Sequence, residues 1–96
     1  MKKPRIMVVC GFGLGSSIVL RMTLDKVLKE EEIKAETFCA DEATAKGQDF
    51  DLVLTSNEMI KLFKDIDKPA IVIENFLSKD EVREKALEKI QDLITE

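Results

Sequence analysis

Short runs of apolar residues alternate with stretches in which apolar positions recur every three or four residues. Ile6-Met7-Val8-Val9 is a continuous apolar run of strand type, closed by Cys10 and a glycine-rich segment. Residues from about 16 to 32 then read as a helix, with Leu20, Leu24, Val27 and Leu28 as its apolar stripe and Ser16 or Ser17 as its cap. Lys34 to Cys39 alternates in the manner of an edge strand with one wetter face. Asp41 suits the N-cap of a short helix to about Gly47, Leu52-Val53-Leu54 a third strand, and Glu58 to Lys64 another short helix. Pro69 opens a fourth strand, Ala70-Ile71-Val72-Ile73, a position where proline is tolerated. The last helix is announced by Ser78 and, three residues on, Glu81, a capping-box spacing; Val82, Ala86, Ile90, Leu93 and Ile94 form its buried face.

Four strand-then-helix units with apolar strands predict an α/β three-layer sandwich: a four-stranded parallel sheet covered by helices on both faces, flavodoxin- or Rossmann-like. Right-handed crossovers restrict the strand order to 2-1-3-4. In such sheets ligands bind beyond the carboxyl ends of the strands, where the strand order reverses. Cys10 ends the strand beside that point.

The 96 residues, 45% hydrophobic, suffice for a single domain spanning 1–96 that needs neither disulfide nor metal to fold. Lys and Arg number 15 against 19 Asp and Glu, a net charge of −4 without a basic stripe, so nucleic-acid binding is not expected. No apolar stretch approaches the roughly 20 residues that cross a bilayer, and the basic start Met1-Lys2-Lys3 lacks the apolar core of a signal peptide. A cytoplasmic protein with reduced thiols is expected. The chain has no histidine, which removes a Cys-His pair, a histidine base and a histidine zinc site; two cysteines 29 positions apart do not suggest a metal site either. No cofactor and no metal are expected.

The chemistry therefore concentrates in Cys10-Gly11-Phe12-Gly13-Leu14-Gly15-Ser16-Ser17. A strand-to-helix loop directs backbone N–H groups and the positive end of the helix dipole toward one point, which favours an anion. Gly11, Gly13 and Gly15 permit positive φ and close backbone approach around a tetrahedral anion, and the Ser16 and Ser17 hydroxyls add donors. The same field lowers the pKa of a thiol at the mouth of the loop, making Cys10 a nucleophile. Phosphate is thus the expected ligand of residues 11–17, with Phe12 and Leu14 either projecting as apolar residues for docking a partner or folding inward over strand 1. A glycine turn with a buried cysteine, a dinucleotide loop, a phosphatase and a phosphoryl carrier all remain open on these grounds. The dinucleotide pattern would need a glycine at position 16 or 18, where Ser16 and Ile18 stand; the low-molecular-mass cysteine phosphatases have an arginine at the position of Ser16. Arg21 lies more than a turn into the helix, and Asp41 or Glu74 could be nominated as acid or base only blindly.

The segment Val8 to Ser17, on a chain of this length and element order, resembles the IIB subunit of the bacterial phosphoenolpyruvate-dependent sugar phosphotransferase system. It is most similar to the ascorbate and galactitol branch, with its lactose/cellobiose-like fold; Asn75-Phe76-Leu77-Ser78 is similar to ascorbate-type members. The resemblance implies a protein-phosphocysteine–sugar phosphotransferase component. Cys10 would take a phosphoryl group from a phosphohistidine of a IIA protein or domain and give it to a sugar, ascorbate by branch resemblance, imported through the membrane component IIC. A shuttle that exposes its loop to successive partners is expected to be a monomer, touching the membrane only through IIC. The alternatives are a low-molecular-mass phosphatase or arsenate-reductase-like protein, and a non-catalytic anion- or nucleotide-binding module.

Cys39 ends the strand expected beside β-strand 1, so a disulfide with Cys10 is conceivable, against the plainer reading of a small buried residue. Thr55-Ser56-Asn57 and Asn75 fall at the same sheet edge as the loop, where they suit turns as well as a ligand. Met7, Met22 and Met59 are expected in the core.

Overall fold

The computed structural model describes residues 3–9, 14–41 and 44–95. Four strands, β1 (Arg5–Val9), β2 (Glu36–Cys39), β3 (Leu52–Thr55) and β4 (Ala70–Val72), form one sheet of order 2-1-3-4 in which every pairing is parallel. The two α-helices are α1 (Leu14–Glu30) and α2 (Lys79–Thr95). The expected α/β architecture and strand order are therefore observed.

Strand alternation divides the core in two. Ile6, Val8, Leu52 and Leu54 point to one face, where Leu20, Leu24, Val27 and Leu28 of α1 and Val82, Ala86 and Ile90 of α2 close over them. Met7, Val9 and Val53 point to the other, where they meet Ala40, Ala45, Phe50 and Phe63. The helix expected from Asp41 to Gly47 is a single 3-10 turn, Ala45–Gly47, and the one expected from Glu58 to Lys64 is another, Ile60–Phe63. Both segments are too short to nucleate an α-helix unaided, and one aromatic anchor each suffices to seal the sheet. Phe50 and Phe63 supply that anchor, edge to face at 6.2 Å between ring centroids.

α1 starts at Leu14, two residues before the expected start, and ends at Glu30, two before the expected end. Its end is a Schellman motif: the Ile33 amide donates to the Leu28 carbonyl, the Glu32 amide to that of Lys29, and Glu32 takes the left-handed conformation at φ 57°. β2 likewise starts at Glu36 and not Lys34, because the chain leaving that motif must still turn back to the sheet. Of the three methionines expected inside, Met7 is fully buried and Met59 packs on the core, but Met22 is 55% exposed on the outer side of α1.

The Ser78–Glu81 capping box is half formed. The Ser78 hydroxyl accepts the Glu81 amide at 3.1 Å, but the Glu81 carboxylate receives the amides of Glu74 and Asn75, at 2.7 and 2.8 Å, and so pins the chain leaving β4. The same loop is tied to α1, whose Thr23 hydroxyl donates to the Phe76 carbonyl.

Candidate functional site

Cys10, Gly11, Phe12 and Gly13 lie outside the described residues, as do the side chains of Leu14 and Ser16. What is described is everything that frames them. β1 ends at Val9, with β2 on one side and β3 on the other, so the chain leaves the sheet where the strand order reverses; four residues later the first turn of α1 begins. Residues 10–13 thus join the end of β1 to the N-terminus of α1.

Within the helix, Gly15 is exposed, and a Cβ built there meets nothing within 4 Å. The expected steric need for glycine therefore does not apply at Gly15 in this conformation. Ser17 is not the helix cap, since Leu14–Ser17 is already helical. Its side chain turns inward, 1% exposed, and its hydroxyl has no hydrogen-bond partner among the described residues.

Two further buried hydroxyls in the same state lie at the end of β3. Thr55, in register with Val9, is fully buried, and Ser56 is 6% exposed; neither hydroxyl has a partner among the described residues. A buried hydroxyl without a partner costs about 1–3 kcal/mol. Beyond them opens a cleft of about 290 Å³ between the ends of β3 and β4, lined by Ser56, Asn57, Glu58, Ile73, Glu74 and Phe76. The sequence places Thr55-Ser56-Asn57 at this edge, but the burial of the hydroxyls depends on packing that no local pattern displays.

Other expectations resolve more simply. Asn75 serves the turn, its side-chain Oδ1 accepting the Leu77 amide. Asp41 accepts the amide and hydroxyl of Thr44, both at 2.8 Å. Arg21 does not turn back toward the loop: its Nε donates to Thr37 Oγ1 at 3.0 Å, and Thr37 in turn donates to Asp25. Cys39 is in register with Val8, two residues before Cys10, and half-buried. Burial pushes its thiol pKa up, Asp25 adds to this, and Arg21 opposes it, so at neutral pH it is a protonated, weak nucleophile. Among the described residues no group of three or more Cys, Asp or Glu side chains is placed to hold a metal, and no helix is long and apolar enough to cross a membrane.

Residues 5–89 match the family model of the PTS system lactose/cellobiose-specific IIB subunit. The chain belongs to this family. It is 26% identical over 92 residues to the ascorbate-specific PTS system EIIB component of Mycoplasma pneumoniae, a match covering 93% of this chain and 96% of that protein. Its fold is similar to the lactose-specific IIB domain of the phosphoenolpyruvate:carbohydrate phosphotransferase system from Streptococcus pneumoniae, with a TM-score of 0.57 over 98% of this chain and 97% of the other, at 12% identity. The protein is thus a IIB component of a sugar phosphotransferase system, a phosphotransferase by family, and a IIB component implies IIA and IIC partners. The matched stretch includes the whole of the Cys10 to Ser17 segment.

Proposed function

We propose that Cys10 is the phosphoryl carrier: it accepts the group from a phosphohistidine of IIA and donates it to the sugar brought in by IIC. The observation that carries this reading is the position of residues 10–13 between the end of β1, at the strand-order reversal, and the first turn of α1. There the helix dipole supports a thiolate and favours a transferred anion. In the transfer, the Cys10 thiol first loses its proton to solvent. Its sulfur then attacks phosphorus in line with the P–N bond; the S–P bond forms and the P–N electron pair returns to the imidazole, which leaves neutral if its other nitrogen carries a proton. Such a step demands alignment and oxyanion donors, and no base from this chain.

The absence of histidine fits a chain whose partner supplies it. A phosphatase would require a guanidinium over the phosphoryl oxygens; position 16 is serine, and Arg21 is engaged by Thr37. Ile18 and Met22, half exposed on α1, give a partner reaching the loop an apolar footing. The name of the Mycoplasma relative makes ascorbate the first sugar to test. We place the protein in the cytoplasm, where IIA would meet it.

Labelled phosphoenolpyruvate, the general phosphotransferase proteins and a cognate IIA should place a phosphothiol on the parent chain and none on Cys10→Ser. An unlabelled parent, or release of free phosphate from an aryl phosphate, would overturn the carrier reading; a labelled Cys10→Ser would relocate the site. Sugar identity follows from which sugar discharges the labelled protein in vesicles carrying IIC.

A further inference from the structure

We infer that the hydroxyls of Thr55 and Ser56 form a second wall of the phosphoryl site, donating hydrogen bonds to the terminal oxygens of the group carried on Cys10. This rests on Cys10 being the phosphoryl acceptor, and adds donors from a different strand to the loop already assigned.

Three facts converge on these two side chains. Thr55 is in register with Val9, the residue before Cys10, so the end of β3 flanks the point where the loop leaves the sheet. Thr55 and Ser56 are more than nine-tenths buried, and neither hydroxyl has a partner among the described residues, although buried hydroxyls are nearly always hydrogen-bonded. The main chain around them is otherwise satisfied: the Thr55 carbonyl accepts the Ile73 amide, and the Ser56 carbonyl accepts those of Met59 and Ile60. Two donors without a partner among the described residues thus remain beside the strand end that leads to Cys10. Ser17, the third such hydroxyl, belongs to α1 across the same edge.

Successive residues of an extended chain project to opposite faces. Thr55 therefore shares the face of Val53, while Ser56 lines the cleft with Ile73 and Phe76. Donors on both sides of the sheet edge suit a tetrahedral group with three terminal oxygens. The cleft itself is not the anion's seat, because Glu58 and Glu74 on its wall repel a dianion; Ser56 lines the cleft and directly follows Thr55, the residue in register with Val9.

Removing an unpartnered hydroxyl leaves the unphosphorylated fold as stable or more stable, whereas removing a donor to a charged oxygen destabilises the phosphorylated form. The test is the partition of label between stoichiometric IIA and this chain once the general proteins are removed, with melting temperatures of the unlabelled proteins alongside. Ser56→Ala and Thr55→Val should each shift the partition toward IIA by about tenfold, the worth of one charge-assisted hydrogen bond, with a melting temperature at or above the parent's. Thr55→Ser, which keeps the hydroxyl, should retain the parental partition. Parental partition in both Ser56→Ala and Thr55→Val, or a lowered melting temperature in both, would overturn the inference while leaving Cys10 in place. A parent chain that takes no label would instead overturn the Cys10 assignment itself.

Discussion

Cys39 is half-buried on an edge strand with its pKa raised by desolvation, so alkylation by iodoacetamide of a Cys10→Ser variant, in which Cys39 is the sole thiol, should be slower at neutral pH than that of a free thiol. A rate equal to or above the free thiol would show that the strand end opens in solution. Another residue carries a cost that a substitution can remove. Glu32 holds the left-handed position of the Schellman motif, where a Cβ is unfavourable. Glu32→Gly should raise stability by about 1 kcal/mol, read as a higher urea midpoint at unchanged slope.

At the scale of elements, the attachment of α2 is electrostatic as well as apolar. Burial raises the Glu81 pKa, but the amides of Glu74 and Asn75 and the Lys85 ammonium more than offset it, so the carboxyl is held below its ordinary 4.5. A carboxyl depressed in the folded state contributes stability above its unfolded pKa and loses it as pH falls through the folded value. Glu81→Gln should therefore cost more at neutral pH than at an acidic pH below the depressed folded value, where the parent carboxyl is itself protonated. Urea unfolding at the two pH values measures this, and a pH-independent cost would refute it. Glu30 is likewise held down, chiefly by Lys79 and further by Arg83, but this exposed pairing is screened by salt and is a minor contributor. The helix cap is a separate term: Ser78→Ala should cost about 1 kcal/mol at any pH where the fold holds.

For the molecule as a whole, stability and the proposed transfer are separable, because the helix-packed core is distinct from the sheet edge where the transfer site is proposed. Leu54, fully buried between the sheet and the two helices, should cost about 2–5 kcal/mol when replaced by alanine. If the loop is the transfer site, the folded Leu54→Ala protein should still accept label at Cys10, whereas the hydroxyl variants should fold normally and accept it less well.

Much of this was legible in the sequence, for a physical reason in each case. Strand order follows from continuous apolar runs and right-handed crossovers, and Cys10 falls at the reversal because it follows directly on one of those runs. The faces of α1 and α2 follow from helical periodicity, which is a local property. Less was legible where partners come from afar. Glu81 was drawn from its capping box by the amides of Glu74 and Asn75, Met22 met no neighbour to cover it, and two expected helices relaxed to 3-10 turns. The place of the Cys10 segment, after β1 at the strand-order reversal, was thus determined by the sequence. That Ser17, Thr55 and Ser56 present buried, unfilled donors around that place was decided only by the tertiary structure, since an unmet hydrogen bond is a property of everything a hydroxyl fails to touch.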